Sequence, residues 1–376
     1  MSNNTVMVVG GGIAGLTAAW ELAGQKIKVE LVEKTCFLGG HSIGFTCKAT
    51  DQCRQCGACS VEQMLANVVN EPLINIHLRT EIKDFKKGKK ITAVLDKSDV
   101  DISNTGLLKG FSQHNSPMYV AGDKAASMPD GAVAIEKLGS TGEVKVDAVI
   151  LATGYSPFDP KLKATFGYGE KKNIITGLDL ENILRENSTL VRPSDGKEPE
   201  KVAFIQCVGS RDERLGNLWC SKICCPTAMR MASLIKHKKE EAEVSIFYID
   251  IQNTPKEFPM FYENVKNEIS FKRAIPVDIY QIENDRLTLR YMPEENSTPL
   301  YEEFDLIVLS VGITPGADTK PLSEKFEVAL DEYGFLSNSG EGVFTAGTAK
   351  GPGTIFDTIA DSEKAAHETM QYLGVI

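Results

Sequence analysis

Nine cysteines occur in 376 residues, and four of them, Cys47, Cys53, Cys56 and Cys59, are packed into the stretch TCKATDQCRQCGACS. Thiolates are soft ligands that suit iron–sulfur clusters or zinc. The C-x2-C-x2-C run is the kind of short loop that wraps one cubane and turns backbone N–H groups toward its sulfurs. Structural zinc more often draws two pairs of ligands from separated hairpins. A third reading leaves the thiols unligated or redox-active, with Cys47 and Cys53 as a C-x5-C pair able to attack a disulfide. A second group, Cys207, Cys220, Cys224 and Cys225, is less convincing by spacing alone. Adjacent cysteines rarely share one metal, and cysteine is a common small buried residue. Cys36, just before Phe37-Leu38-Gly39-Gly40, is expected to be a thiol with no ligand role.

What would position such thiols is written upstream. Thr5 to Val9 is a short apolar run fit for a buried parallel strand. Gly10, Gly12 and Gly15 follow at the G-x-G-x-x-G positions, a helix is expected over 16–25, and a second strand over 27–32 ends at Glu33. Gly10 makes the tight turn, Gly12 lets a pyrophosphate approach the backbone, and Gly15 lets helix and strand pack closely. The helix N-terminus adds free N–H groups and partial positive charge. Glu33, followed by Lys34, stands where a carboxylate accepts from ribose hydroxyls. Strand, glycines, helix, strand and acid come in the order a dinucleotide site requires.

Three further stretches favour FAD over NAD as that dinucleotide. Leu38-Gly39-Gly40 follows the acid closely, and His41 after it is a candidate to approach FAD. VILATGY, residues 149–155, is an apolar strand closing on a Thr153-Gly154 turn. VFTAGTAKGPGTIFDTIADSEKAA is a strand, a turn at Gly347-Thr348 and a helix whose dipole can stabilise negative charge on a reduced flavin. His77, in the probable strand INIHL, reads as structural.

Composition bounds the rest. Hydrophobic residues make up 42% and charged ones 24%, the profile of a soluble globular protein rather than a disordered chain. A net charge of −10 gives no reason to expect nucleic-acid binding. The one basic run, KKGKK, is flanked by acids and reads as a solvated hairpin. No apolar run is long enough for a membrane span. The N-terminus reads as strand and turn rather than as a signal peptide, so a cytoplasmic chain with reduced cysteines is expected. Residues 197–295 show a second βαβ pattern: strand KVAFIQCVGS, helix PTAMRMASLIKHKK, strand EVSIFYIDI. Its first strand runs into QCVGSRDERLGNLWCSKICCP, where phosphate-cradling glycines are missing, so NAD(P)H binding there is not expected. Residues 84–140 read as hairpins and loops inserted in the first domain, with SPMYVAG as a strand candidate. The expected layout is an FAD-binding domain from 1–196 and 296–376 interrupted by the second domain.

These stretches resemble the two-dinucleotide-binding-domain flavoproteins, an α/β class with thioredoxin- or glutathione reductase-like Rossmann domains. In that superfamily the C-terminal strand–turn–helix returns to the FAD domain. The Asp that usually follows Ala-Gly there is Thr348 here. More narrowly, CVGSRD, WCSKICCPTAMR, LSVGITP and AGTAKGPGTIFDT resemble HdrA, the flavin-carrying component of heterodisulfide reductase. That resemblance implies a [4Fe–4S] cluster on Cys207, Cys220, Cys224 and Cys225. Long HdrA forms carry an N-terminal cluster domain and ferredoxin domains for which no stretch is expected here, and flavin-based bifurcation does not carry over. The CKATDQCRQCGAC stretch is more similar to the short form in the sulfur-oxidising heterodisulfide reductase-like complex. The expectation is a cytoplasmic, homodimeric electron-transfer subunit holding FAD and at least one [4Fe–4S] cluster, working with HdrB-like and HdrC-like subunits. The competing expectation is a stand-alone flavin-dependent disulfide oxidoreductase with a cysteine pair near the flavin.

Overall fold

The computed structural model describes residues 4–35, 37–99, 119–121, 133–135, 139–187, 189–252, 258–294, 298–337 and 341–376. Cys36 and most of the SPMYVAG expectation lie outside them. Among the described residues the α-helices are α1 (Ile13–Gly24), α2 (Ala58–Val69), α3 (Gly177–Asn187), α4 (Cys224–Lys238), α5 (Phe258–Val265), α6 (Thr319–Phe326) and α7 (Ile355–Tyr372). The chain separates into two compact units, 1–44 with 57–156 and 315–376, and 45–56 with 157–314.

The first unit is built on a five-stranded sheet in the order Val343–Thr345, Ala148–Leu151, Thr5–Val9, Lys28–Val32, Ile74–His77. Every pairing in it is parallel. Parallel strands are covered on both faces, which is why Thr5–Val9 and Ala148–Leu151 are continuous apolar runs rather than alternating ones. Val6, Met7, Val8 and Ala148–Leu151 are all at 0% exposure. A three-stranded antiparallel sheet, Thr80–Lys86, Ile91–Lys97 and Gly142–Val146, supplies the expected hairpin around KKGKK.

The second unit is a seven-stranded sheet in the order Ile174–Thr176, Leu306–Val311, Lys201–Val208, Glu243–Tyr248, Ser270–Gln281, Leu287–Pro293, Leu300–Phe304. The first five strands run parallel and the last two turn back antiparallel. The expected βαβ is there, with the helix over Cys224–Lys238. The boundaries differ from those expected over 197–295. Ile174–Thr176 pairs with Leu306–Val311, so residues from both flanks join this sheet. Short buried strands such as Ile174–Thr176 need a partner edge, and only the tertiary pairing says which sheet provides it.

The segment after the strand Lys201–Val208 is not a phosphate loop. Gly209 has φ +78°, and a Cβ there would sit 2.0 Å from the Phe158 ring. Phe158 is 4% exposed and packs with Phe166, Val208 and Leu309. An aromatic side chain thus fills the space above the end of the strand, where an NAD(P)H-binding relative would leave backbone open. Truncation Phe158→Ala is expected to lower unfolding stability by ~3–5 kcal/mol through the cavity it leaves. Urea denaturation followed by circular dichroism measures it.

Candidate cofactor and metal sites

In the first unit the glycine turn is enforced by close approach. A Cβ on Gly15 would lie 1.8 Å from the Gly10 carbonyl oxygen, and one on Gly10 (φ +108°) 2.3 Å from the Ala152 carbonyl oxygen. Gly12 differs: a Cβ there would meet nothing closer than Gly40 Cα at 3.9 Å. Its backbone faces open space, and α1 begins there without a side-chain cap, leaving first-turn N–H groups unspent. The Gly39 N–H donates to the Gly11 carbonyl at 2.8 Å and Gly12 bridges Gly39, which sets Leu38-Gly39-Gly40 against the turn.

Glu33 is 8% exposed. Its Oε2 accepts from the Gly11 N–H at 2.6 Å and its Oε1 from the Thr35 N–H at 2.7 Å. The carboxylate expected for ribose therefore also braces the turn, each oxygen keeping one lone pair free. Lys34 pairs with Asp318 at 2.6 Å, half-exposed. His41 lies 4.8 Å from the Tyr155 ring, with Nε2 3.2 Å from the Tyr155 carbonyl. Partial desolvation lowers its pKa from the ordinary histidine value, against the raising effect of the Tyr155 carbonyl, although the side chain is exposed.

Thr153 Oγ1 is buried with no hydrogen-bond partner in the protein. Gly154 (φ +73°) faces Thr348 Oγ1. Thr348 follows Ala346-Gly347 here, and Asp361 from α7 braces the same turn. It accepts from the Gly347 N–H at 2.8 Å and pairs with Lys350 at 2.6 Å. Nothing in the sequence singled out Asp361, because its partner is an amide fourteen residues away across a turn. An open glycine face, unspent helix N–H groups and an orphaned threonine hydroxyl together fit the pyrophosphate and ribityl parts of FAD.

The second unit gathers four thiols. Cys207 stands at the end of the strand Lys201–Val208 beside a register shift between Ile205 and Val208, with φ +58°. Such a bulge re-aims a side chain, and a non-glycine residue in that region costs roughly 1–3 kcal/mol, a strain typical of functional positions. Cys224 and Cys225 open α4. The Lys222 N–H lies 3.3 Å from Cys220 Sγ, with Lys222 at φ +62°. Cys224 Sγ is 3.7 Å from the Val311 carbonyl and Cys225 Sγ 3.8 Å from the Asp250 carbonyl.

Burial pushes the Cys207 thiol up to about 12, with the charges of Cys225 and Cys220 adding to it. Burial also raises Cys224 well above the ordinary thiol range, with repulsion from Cys207, Cys225 and Cys220 behind it. Cys225 is raised by burial, against the favourable end of α4 where a thiolate is ordinarily stabilised. Cys207, Cys224 and Cys225 therefore sit within electrostatic reach of one another and of Cys220, in a place that disfavours their own anionic forms. A bound cation inverts this preference and deprotonates a coordinating thiol outright. Gln206, beside Cys207, is 6% exposed with both amide atoms unpartnered in the protein. Among the described residues no three His, Cys, Asp or Glu side chains converge on one point as a single ion requires. Four cysteines are the donor set that an iron–sulfur cubane takes, one thiolate per iron.

The opening cysteine stretch repeats part of this geometry. The Gln55 N–H lies 3.3 Å from Cys53 Sγ with Gln55 at φ +52°, and the Ala49 N–H lies 3.5 Å from Cys47 Sγ. The N–H of the residue two positions on thus faces the sulfur of a cysteine at Cys47, Cys53 and Cys220. At Cys53 and Cys220 the donor residue is also in the left-handed region. Cys47 and Cys56 are partly buried, whereas Cys53 is exposed. Cys59 lies in the first turn of α2, in the first unit, and is exposed. Gly57 (φ +82°) packs against Ile355 at the start of α7. Arg230, on α4 two turns after Cys224, faces the Cys53 and Cys56 thiols, and its buried Nε has no hydrogen-bond partner. Sequence reasoning missed it; its only signal was its place on the helix that opens with Cys224-Cys225.

Comparison with known proteins identifies the family. Residues 4–204 match the family model described as pyridine nucleotide-disulphide oxidoreductase. The chain belongs to that family. It is an oxidoreductase by that membership, and FAD is the cofactor the family implies. Among curated proteins it is 30% identical to the HdrA component of the H(2):CoB-CoM heterodisulfide,ferredoxin reductase of Methanothermobacter marburgensis, over 97% of this chain and 63% of that protein. It is also 30% identical to the iron-sulfur HdrA component of the CoB–CoM heterodisulfide reductase of Methanocaldococcus jannaschii, with the same coverage. The chain thus spans 63% of the length of these relatives. Among solved structures it resembles thioredoxin reductase from T. acidophilum, with a TM-score of 0.59 at 16% identity, covering 98% of this chain and 97% of that one. Thioredoxin reductase from Lactococcus lactis also gives 0.59, at 14% identity with full coverage of both. These confirm the expected two-dinucleotide-domain fold class and the resemblance to HdrA.

Two glycine variants separate fold from binding. Gly15→Ala forces a backbone clash and is expected to yield little folded protein. Gly12→Ala has room and is expected to fold, but to lose at least tenfold in FAD affinity because the methyl occupies the pyrophosphate approach. Flavin absorbance after desalting, beside a thermal melt, checks both.

Proposed function

We propose that this chain is an HdrA-like electron-transferring flavoprotein subunit. It holds FAD on the Gly10–Gly15 turn, with Glu33, Lys34, Gly39, Gly40, His41, Thr153, Gly154, Gly347 and Thr348 around it. One [4Fe–4S] cluster is held by Cys207, Cys220, Cys224 and Cys225, and a second by Cys47, Cys53, Cys56 and Cys59. It passes electrons to and from HdrB-like and HdrC-like partner subunits of a sulfur-metabolising complex, as a cytoplasmic homodimer. Among the described residues no helix is long and apolar enough to cross a membrane.

The observation that carries this reading is the placing of buried Cys224 and Cys225 within electrostatic reach of half-buried Cys207 and Cys220, together with the Phe158 ring packed over Gly209. That unit stands where a flavin disulfide reductase would bind NAD(P)H. Here its strand end is committed to thiols and aromatic packing. When bound, FAD exchanges electrons in pairs and the clusters exchange them singly. The protein's own part is positional. Cys207 is aimed by a strand bulge, and Cys224 and Cys225 by the first turn of α4. The Lys222, Gln55 and Ala49 N–H groups are available to stabilise sulfur-borne negative charge. Arg230 provides a cation beside Cys53 and Cys56.

Anaerobic purification followed by iron and acid-labile sulfide analysis is expected to give about eight irons per FAD, two cubanes' worth. Cys224→Ser and Cys56→Ser are each expected to remove about four while FAD is retained. Stopped-flow mixing with NADPH is expected to leave the flavin spectrum unchanged. Rapid bleaching would instead favour a stand-alone disulfide oxidoreductase.

A further inference from the structure

The segment 45–56 leaves the first unit at Gly44, returns to it at Gly57, and groups with the second unit in between. Its anchor there is unusually dense for a polar loop. Glu181, on α3, accepts from the Thr46 N–H at 2.8 Å through Oε2, and from Lys48 Nζ through Oε1. The backbone carbonyl of Glu181 accepts from Thr46 Oγ1 at 3.0 Å. Lys48 Nζ also reaches the Thr46 carbonyl at 3.5 Å and stands 5.2 Å over the Phe45 ring. The Lys48 and Glu181 side chains are each only 3% exposed.

Burying both members of an ion pair costs desolvation that is recovered only when geometry and hydrogen bonding are complete. Here each residue flanking Cys47 is tied to the same carboxylate, and neither tie involves Cys47 itself. Within the C-x2-C-x2-C run the backbone turns at Gln55 (φ +52°) and Gly57 (φ +82°). Cys47 lies six residues before Cys53, on the far side of a polar stretch, and no such local turn holds it to the other thiols. A remote fourth ligand needs an anchor of its own.

We infer that Glu181, with Lys48 as its counter-charge, is the positioning residue that presents Cys47 as the fourth ligand of the first cysteine set, holding that thiol in place before any metal arrives. This rests on the reading of that set as a [4Fe–4S] site. It assigns a metal-site role to a carboxylate 134 positions from the cysteine it serves. A bare tether of the loop would need one contact on either side of Cys47; the shared carboxylate instead fixes both neighbours and with them the direction of the thiol between them.

The test uses anaerobically purified full chain, with iron and sulfide per FAD and low-temperature EPR of oxidised and dithionite-reduced samples. Wild type, Cys47→Ala, Glu181→Gln, and Glu181→Gln with Lys48→Met are compared, the last removing both buried charges so that neither is left unpaired. Retained FAD and an unchanged signal from the Cys224 set report that the fold is intact. Glu181→Gln and the double variant are expected to reproduce the Cys47→Ala spectrum. In each, the first set's signal is lost or replaced by that of a three-iron cluster, with between one and four irons missing per FAD. Adding Cys47→Ala to Glu181→Gln is expected to cause no further loss. Unchanged iron and EPR in both Glu181 variants, with wild type at about eight irons, would overturn the positioning role alone. Wild type at about four irons, insensitive to Cys56→Ser, would overturn the cluster reading of the first set and this inference with it.

Discussion

Negative charge on sulfur inside a protein must be met by positive charge, and much of this molecule answers to that constraint. Cys207, Cys224 and Cys225 are buried together and repel one another as anions, so without a cation they remain thiols. The strand Lys201–Val208 ends in a bulge at Cys207, and α4 opens directly on two cysteines. A helix N-terminus and backbone N–H groups supply the partial charges that a protein can place near sulfur without burying another full one. Where full charges are buried, as with Lys48 and Glu181, they come as a hydrogen-bonded pair.

The two units apply one architecture to two chemistries. Each is built on parallel strands, and each puts its functional residues at the carboxyl ends of those strands, where helix N-termini gather. In the first unit the strand Thr5–Val9 ends in glycines, and backbone is left open to phosphate oxygens. In the second unit the equivalent strand end carries Cys207, and Gly209 gives its space to Phe158. One strand end leaves backbone N–H groups open; the other carries a thiol.

Much of the first unit was legible in the sequence because its signals are local. G-x-G-x-x-G between two apolar runs demands turns that only glycine makes, and the 1.8 Å approach of a Gly15 Cβ to Gly10 shows why. The C-x2-C-x2-C run is equally local, since its bends lie at Gln55 and Gly57 inside the run. Helix α4 and the strands on either side of it also appear where their periodicity places them. Less legible was anything decided by pairing at a distance. The boundary of the second unit moved outward because Ile174–Thr176 pairs with Leu306–Val311.

By itself, then, the sequence determined the glycine turn and where the two cysteine groups fall along the chain. Each depends on residue type within a few positions, where covalent geometry leaves little choice. Tertiary structure alone decided that Asp361 answers the Gly347 amide, that Phe158 closes over Gly209, that Arg230 faces Cys53 and Cys56, and that Glu181 braces Cys47. Each of these is a side chain meeting a group far away in the chain. The choice of partner there is made by packing and desolvation, which act in space and leave no period or motif in the sequence.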